Sequence, residues 1–502
     1  MSGRMWSEHL DGWRAFLAER IRRTDDFGER VKLDRQLRTI ERARYGAVLN
    51  PTLLSEFIHP SNENAGHGHL GTTFLDLNES QRRAVASSLG ETPLTLIQGP
   101  PGTGKTQVIA EICLQLLDRD RNTRILVCSE THVAVNNLIS RVSELANGYR
   151  IVRIRDKEGD TDICEYSPSS IVNSHLDWLS HVCDNAEVIG IIAEELLGRG
   201  STALLGTESS LEKALALSAN ITGMTCNRVA SYDFRDTTEM FDVAIIDEVC
   251  KATLPEILAP LLVARKAVLV GDPMQLPPVF CSEEQDVIND IDGCNLSEYM
   301  YIDGLFSRNS HTLTLRTQYR MVDQIGELIS KTFYGGTLSN GRHVSRNDSL
   351  EWIDYTPSSE WPSREAAQLC QTSVYNEDEC RIVSEVLVNV LSTEEDDSTI
   401  AIISPYRAQV ALLRNRIGQT ENVAIDTVDG FQGKECDVVI FSVARTSGPF
   451  RFIEDRRRLN VALSRARNRI IVVGCLDYCR SRKRGGLLSE IADSCAVLKY
   501  EW

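Results

Sequence analysis

The stretch at positions 98–106, Gln-Gly-Pro-Pro-Gly-Thr-Gly-Lys-Thr, constrains this sequence more than any other. It fits the pattern G-x-x-x-x-G-K-[ST], in which glycines let backbone N–H groups surround a polyphosphate. Lys105 supplies a cation for the β- and γ-phosphates, and the Thr106 hydroxyl is placed to bind Mg²⁺. An apolar strand is predicted before the loop, at 94–98, and a helix after it, at 106–117, so the phosphates would lie at a helix N-terminus. A chance glycine-rich turn, the alternative interpretation, does not explain these flanks.

Length and composition indicate a globular protein of several domains. The chain has 502 residues, which predicts roughly two to four domains, and its content of 42% hydrophobic and 25% charged residues is ordinary. A net charge of −17 argues against a protein surface that is basic throughout, and it is compatible with a local basic groove. The 14 cysteines include no C-x-x-C pair, which predicts reduced, buried thiols in an intracellular protein of the cytoplasm or nucleus. No secretory signal and no membrane span are predicted.

The pattern of predicted elements divides the chain into three parts. Residues 1–72 form an N-terminal helical region with apolar residues at helical spacing. Residues 73–310 alternate strands and helices around the phosphate loop, and a helical insertion is predicted at about 140–220. Residues 311–502 repeat the α/β rhythm without a phosphate loop, and a helix is predicted there over 457–467. Strands that alternate with helices predict an α/β fold with doubly wound parallel sheets.

Two segments at predicted strand ends carry polar groups suited to triphosphate hydrolysis. Asp247 and Glu248 follow an apolar run, and ligands of such sheets bind at the carboxyl ends of strands. The aspartate can hold Mg²⁺ and the glutamate can polarise an attacking water. The loop Gly271–Pro278 holds Gln275, which could bridge water and the γ-phosphate. The alternatives are a helix cap for the acid pair and a surface turn for Gln275.

Arginines in the second half are candidates for stabilising charge on the transferring phosphoryl group. Arg320 lies in Gln318–Met321, and Arg465 and Arg467 lie in 459–467. An arginine finger contributes roughly 10³–10⁵ in rate. If the second half faces the first across a cleft, these side chains reach a nucleotide only when the cleft closes. A surface arginine on a helix is the alternative.

Nine motifs occur in an order that identifies a family. They are NESQ at 78–81, the phosphate loop, SETHVAVNNL at 129–138, Asp247-Glu248, GDPMQLPP at 271–278, QYRM at 318–321, SPYRAQ at 404–409, TVDGFQGKE at 427–435 and LNVALSRAR at 459–467. With these motifs the chain resembles the superfamily 1B helicases, in the branch that contains the up-frameshift RNA helicase of nonsense-mediated decay, senataxin and the immunoglobulin mu-binding helicase. The resemblance covers about residues 75–475.

This resemblance implies two tandem RecA-like domains of the P-loop NTPase class, with ATP and Mg²⁺ between them. Gln81 would read the adenine edge, Tyr319 would stack on the base, and Glu435, after Gly433, would contact the ribose. The implied catalytic residues are Lys105, Asp247, Glu248, Gln275, Arg320 and Arg465. Thr106 and Asp247 would bind the metal ion. The implied nucleotide-binding residues are Gln81, Gly99, Pro100, Pro101, Gly102, Thr103, Gly104, Lys105, Thr106, Tyr319, Gly433, Glu435 and Arg467.

The resemblance also implies a single nucleic-acid strand that crosses both domains, with 5′-to-3′ translocation. Its expected contacts are Thr131, Val133, Thr225, Arg407, Thr427 and Asp429, through the backbone of the strand rather than its bases. The chain departs from the family at Val249-Cys250-Lys251, where members commonly have small residues and a glutamine. We also expect no β-barrel before the first domain, no Cys/His-rich module and no nuclease segment, and therefore a weaker grip on duplexes.

The sequence thus predicts an ATP-hydrolysing helicase or translocase that acts on single-stranded RNA or DNA. A monomer is expected, with possible protein partners in RNA processing or decay. One alternative is a nucleic-acid-stimulated ATPase that remodels protein–nucleic acid complexes without strand separation. Another is a non-catalytic nucleic-acid-binding scaffold with ATP as a structural ligand. No identified residue is a dedicated reader of the 2′-hydroxyl, so RNA and DNA stay open.

Overall fold

The structure, a computed structural model, divides into two compact units. The first consists of Met1–Gly99, Lys105–Pro273 and Pro277–Thr314, and the second of Pro100–Gly104, Met274–Leu276 and Leu315–Trp502. The residues that the structure describes are 3–58, 68–146, 148–155, 164–182, 215–216, 218–231, 241–278, 302–309, 311–357, 364–365, 373–431, 433–449, 452–481 and 486–501.

The first unit is built on a parallel sheet of seven strands. Most of its strands are apolar runs buried on both faces, as parallel sheets covered by helices require. The spatial order is β3-β4-β2-β5-β6-β1-β7. The strands are β1 Leu94–Gln98, β2 Ile125–Ser129, β3 Ile151–Arg153, β4 Ile221–Thr225, β5 Phe241–Ile246, β6 Ala264–Gly271 and β7 Leu313–Thr314.

Helices cover this sheet, and the N-terminal helices belong to the same core. Trp13, Leu17 and Ile40 are buried in one hydrophobic cluster with Leu258. The helices are α1 Gly3–Arg23, α2 Phe27–Arg44, α3 Pro51–Ile58, α4 Glu79–Ser88, α5 Lys105–Arg119, α6 His132–Ser143, α7 Pro168–Val182, α8 Cys226–Val229, α9 Leu254–Leu262 and α10 Asp303–Arg308. The N-terminal segment therefore stabilises the sheet that carries the phosphate loop.

The second unit contains a parallel sheet of six strands in the order β14-β13-β15-β16-β10-β17. Its strands are β10 Leu350–Asp354, β13 Ile400–Ser404, β14 Val423–Thr427, β15 Cys436–Ser442, β16 Ala466–Val473 and β17 Ala496–Lys499. Two small two-stranded sheets pair β8 Thr317–Gln318 with β9 Ser339–Asn340, and β11 Arg364–Glu365 with β12 Val374–Tyr375. The helices are α11 Asp323–Phe333, α12 Glu377–Thr393, α13 Arg407–Ile417, α14 Arg456–Leu463, α15 Leu476–Arg480 and α16 Leu487–Ala492.

The predicted fold class, two α/β units with parallel sheets, is confirmed. The predicted helix 457–467 is wrong at its end, because α14 stops at Leu463 and Ala466 already pairs with Cys436 in the sheet. Within the predicted insertion 140–220, the structure has the edge strand β3 and helix α7, while 183–214 lies outside the described residues. The domain boundaries at 72/73 and 310/311 stay a prediction. Among the described helices, none has the length and apolar character needed to cross a bilayer.

Candidate functional site

The phosphate loop has the backbone conformation that its glycines predict. Gly102 and Gly104 have positive φ angles of 72° and 79°, which side chains other than glycine adopt only with strain. A Cβ atom at Gly102 would also lie 2.7 Å from the Cβ of Arg320. The N–H of Gly99 donates to the carbonyl of Gly271 over 2.9 Å, which ties the start of the loop to the end of β6. Such a turn directs successive N–H groups into a concavity that suits anions.

Lys105, Asp247 and Glu248 form a charged cluster in the first unit. The Lys105 Nζ donates to the Gly99 carbonyl over 3.0 Å and lies 3.7 Å from the Glu248 carboxylate. Asp247 is buried at the end of β5, and its Oδ1 atom has no hydrogen-bond partner. Burial and, to a smaller extent, the Glu248 carboxylate raise the pKa of Asp247 to about 7, while Lys105 acts in the opposite direction. A buried carboxylate oxygen without a hydrogen-bond partner fits a divalent cation, which binds oxygen ligands.

Glu248 is one of the few described residues other than glycine with a positive φ, at 52°. Strain of this kind concentrates at functional sites, where the surrounding fold must hold it. The residues that depart from the family pattern form a 3₁₀ turn directly after it, Val249–Lys251. A Cβ at Gly271 would lie 2.9 Å from the Cys250 sulfur, so this turn packs closely on β6. The departure therefore leaves both acids at the strand end.

In the second unit, a buried arginine meets the predicted γ-phosphate sensor. Arg465 is 3% exposed, and its Nη2 donates to Gln275 Oε1 over 3.1 Å. Its Nε donates to the Val461 carbonyl over 2.9 Å, which fixes the guanidinium against the preceding helix α14. Two predicted catalytic residues, separated by 190 positions in sequence, are thus in direct contact.

Arg320 and Arg467 share the carboxylate of Glu435. Arg320 forms an ion pair with Glu435 and donates to the Ser464 carbonyl over 2.9 Å. Arg467 donates to the other Glu435 oxygen over 3.1 Å, from strand β16 rather than from a helix. Burial alone would raise the pKa of Glu435, but the two arginines outweigh it, and the pKa lies below its usual range. The structure therefore brings together one predicted finger, one predicted ribose contact and one predicted nucleotide ligand.

The predicted base-binding residues differ in exposure. Gln81 is 2% exposed, and its side chain accepts from the Asn78 N–H over 2.9 Å in a capping box at the start of α4. Tyr319 is 37% exposed, and its N–H donates to the Gly102 carbonyl over 2.9 Å. Gly433 has a positive φ of 81°. The buried Gln81 amide, held by the capping box, is suited to reading the edge of a base. The partly exposed Tyr319 ring is suited to stacking on the face of a base.

In the first unit, the residues predicted to contact the nucleic-acid strand lie at the ends of neighbouring β-strands. Ser129 of β2 and Thr225 of β4 are paired in register, so the segments that follow them are adjacent. Thr131 caps α6 and Thr225 caps α8, each through its side-chain oxygen. Val133 is 68% exposed. Thr225, however, is 3% exposed, so its hydroxyl is committed to the cap.

The second unit repeats this arrangement. Ser404 of β13 and Thr427 of β14 are paired in register. Arg407 begins α13 with an exposed side chain, and Asp429 is exposed in the turn after β14. The Thr427 hydroxyl accepts from the N–H of Gly430 over 3.3 Å. The three predicted contacts thus lie around the carboxyl ends of two adjacent strands.

Asn460 lies inside the motif LNVALSRAR, but the sequence did not predict it as a functional residue. It is fully buried, and its Nδ2 donates to the Met274 carbonyl over 2.7 Å and to the Tyr334 hydroxyl over 2.8 Å. Since Met274 precedes Gln275, Asn460 holds the segment that presents the glutamine. An asparagine flanked by apolar residues in a predicted helix was the available signal.

Comparisons with known proteins agree with these motifs. One family model, described as AAA domain, matches residues 76–183 and 193–283. A second model with the same description matches residues 298–477. DNA polymerase alpha-associated DNA helicase A of Saccharomyces cerevisiae is 30% identical over 80% of this chain and 65% of the relative. Regulator of nonsense transcripts 1 homolog of Arabidopsis thaliana is 32% identical over 80% of this chain and 32% of the relative. ATP-dependent helicase upf1 of Schizosaccharomyces pombe is 32% identical over 79% of this chain and 44% of the relative. The chain thus spans from about a third to about two thirds of the length of these relatives.

Proposed function

Because the chain belongs to the superfamily 1B helicases, in the up-frameshift branch that its motifs predicted, we propose that it is an ATP-dependent helicase or translocase on single-stranded nucleic acid. The observation that carries this proposal is the charged cluster of the first unit. There the Lys105 ammonium lies 3.7 Å from Glu248, and Glu248 follows a buried Asp247 at the end of a strand. This set of groups matches what triphosphate hydrolysis needs.

The residues of the first unit have distinct proposed roles. The N–H groups of the phosphate loop bind the polyphosphate, and Lys105 contacts its outer phosphates. Thr106 and Asp247 would hold Mg²⁺, which when bound neutralises phosphate charge. Glu248 accepts a proton from the attacking water.

Residues of the second unit are proposed to complete the nucleotide site. The contact between Arg465 and Gln275 supports a shared task, in which the amide orients water and the guanidinium stabilises developing charge. Arg320 is the second proposed finger, and Tyr319 and Gln81 are the proposed base contacts. The roles of Gly433, Glu435 and Arg467 at the ribose and phosphates stay predictions.

The nucleic-acid part of the proposal is supported by where the predicted contacts lie. In one sheet, Thr131 follows β2 and Thr225 ends the adjacent β4. In the other, Arg407 follows β13 and Thr427 ends the adjacent β14. Each set lies at the carboxyl ends of its strands, where ligands of such sheets bind. Translocation in the 5′-to-3′ direction, a monomeric state and an intracellular location are parts of the same proposal. Nine cysteines of the described residues, from Cys113 to Cys495, are free thiols, in keeping with that location.

ATP turnover in the presence of nucleic acid tests the proposal. Poly(U) and poly(dT) of matched length are titrated in parallel against the full chain, and stimulation by at least one polymer is expected. The Lys105→Ala variant should show no turnover, because the loop loses its cation. A flat response to both polymers would mean that the partner is not a single strand. Normal turnover in Lys105→Ala would remove the assignment of the site.

The two alternatives are separated by what the ATPase accomplishes. A strand-displacement assay and a protein-displacement assay on the same single-stranded overhang distinguish a helicase from a remodelling ATPase. Displacement of protein alone would favour remodelling. A chain that binds nucleic acid and ATP without turnover would be a scaffold.

A further inference from the structure

Helix α5, which begins at the phosphate-binding Lys105, carries a row of polar side chains in an otherwise apolar sequence. Gln107, Glu111 and Gln115 are four residues apart and therefore share one face of the helix. Glu111 is fully buried. A carboxylate with no exposure on an apolar helix must be compensated by hydrogen bonds, because burying an unpaired charge is expensive.

The compensation comes from the backbone of one irregular segment. Glu111 accepts from the N–H groups of Phe74 and Leu75, over 3.0 and 2.9 Å, and from the Gln115 amide over 2.8 Å. This carboxylate therefore binds two consecutive peptide groups and a neighbouring side chain at once.

The other two side chains bind the same segment on either side. Gln115 donates to the Thr72 carbonyl over 3.0 Å, and Gln107 donates to the Asp76 carbonyl over 2.7 Å. We call Gln107, Glu111 and Gln115 the clasp. It fixes residues 72–76 along more than two turns of α5.

The clasped segment leads directly to the residue proposed to read the base. Asn78, two positions after Asp76, caps α4, and Gln81 completes the capping box. Gln107 lies in the first turn of α5, next to Thr106. The clasp thus joins the N-terminus of α4 to the N-terminus of α5. One helix carries the proposed base reader, and the other carries the phosphate ligands.

We propose that Glu111 is a positioning residue for adenine selectivity: it sets the place of Gln81 relative to the phosphate loop. This inference rests on the proposed function, in which the loop binds a nucleoside triphosphate and Gln81 reads the base. A clasp with a purely structural role would change the stability of the fold and leave the preference among bases unchanged.

Equilibrium binding of ATP, GTP and inorganic tripolyphosphate to wild type and Glu111→Gln tests the inference. The glutamine keeps the shape but turns an amide NH₂ toward one of the two backbone donors. Affinity for ATP should fall about tenfold, the loss expected for a charged hydrogen bond, and the preference for ATP over GTP should fall with it. Tripolyphosphate, which contacts only the loop, should bind as in wild type. Glu91→Gln, the same change at an exposed position of the first unit, is the matched control and should match wild type throughout.

Two results would overturn the inference: an unchanged ATP-to-GTP preference in Glu111→Gln, or a loss of affinity that is equal for all three ligands. Wild type that binds ATP and GTP equally would overturn it as well. If Glu111→Gln does not fold, Gln107→Ala removes only the bond to the Asp76 carbonyl. That variant should shift the preference in the same direction by about two- to threefold, as a neutral hydrogen bond allows, and no shift would contradict the role. ATP turnover, measured separately, decides the proposed function independently of these binding constants.

Discussion

Glu379 connects the stability of the second unit to pH. It lies in the first turn of α12 and is fully buried. Its carboxylate accepts from the Ser442 hydroxyl over 2.6 Å, from the Ala444 N–H over 2.7 Å and from the Tyr355 hydroxyl over 2.9 Å. Burial raises its pKa to about 7, although these hydrogen bonds act in the opposite direction.

The sign of the effect follows from the comparison with the unfolded chain, where the ordinary pKa of 4.5 applies. Because the folded carboxyl group binds its proton more tightly, its contribution to stability is fully present below about pH 4.5. The contribution is lost as pH rises through about 7. The gap between the two pKa values corresponds to about 3 kcal/mol of unfolding free energy. That is a large fraction of the stability of a typical domain.

Urea unfolding between pH 5 and 8.5 measures this contribution, with near-ultraviolet circular dichroism and fluorescence as probes. Trp352 lies fully buried in the second unit and reports on its core. Glutamine does not titrate, so the unfolding free energy of wild type should fall by about 3 kcal/mol relative to that of Glu379→Gln as pH rises across this range. The exposed Glu395→Gln should follow wild type at every pH. Parallel curves for wild type and Glu379→Gln would refute the reasoning, because they would mean that Glu379 keeps an ordinary pKa.

Two further predictions concern the proposed reaction. Glu248→Gln should bind ATP with near wild-type affinity but turn it over at least 10²-fold more slowly, because the amide accepts no proton from water; a wild-type rate in a steady-state phosphate-release assay would contradict this. Arg465→Ala should lower kcat by about 10³-fold or more while nucleotide binding persists, since the guanidinium that contacts Gln275 is lost; a change confined to KM would assign Arg465 to ground-state binding.

Much of the fold was predictable because buried parallel strands are continuous apolar runs. The strand 94–98 begins and ends where the sequence predicts. The error at 457–467 has a physical cause: the helical pattern continues past Leu463, but the pairing of Ala466 with Cys436 ends the helix. Pairing between distant residues decides such boundaries, and a local pattern carries no information about it.

The candidate site was predictable as a set of residues and much less so as a set of contacts. Motif order identified Gln275 and Arg465 individually, yet their hydrogen bond spans 190 positions. The same holds for Asn460, whose partner is the Met274 backbone. Backbone groups in irregular segments have no sequence signature, so the partners of buried polar side chains could not be predicted.

Glu111 and Glu379 show how each unit holds its irregular segments. Each is a buried glutamate on a helix, and each binds backbone N–H groups outside any helix, those of Phe74 and Leu75 in one unit and that of Ala444 in the other. Ala444 has a φ of 63°, a strained conformation that persists only if its surroundings hold it. Burial of apolar side chains stabilises the sheets, but it is non-directional and favours any well-filled core. A buried carboxylate is different, because an arrangement that removes its hydrogen-bond donors leaves a buried charge unpaired. It therefore favours one particular position of the peptide group that donates to it. We therefore expect buried acids on apolar helices to mark the irregular segments whose positions matter most.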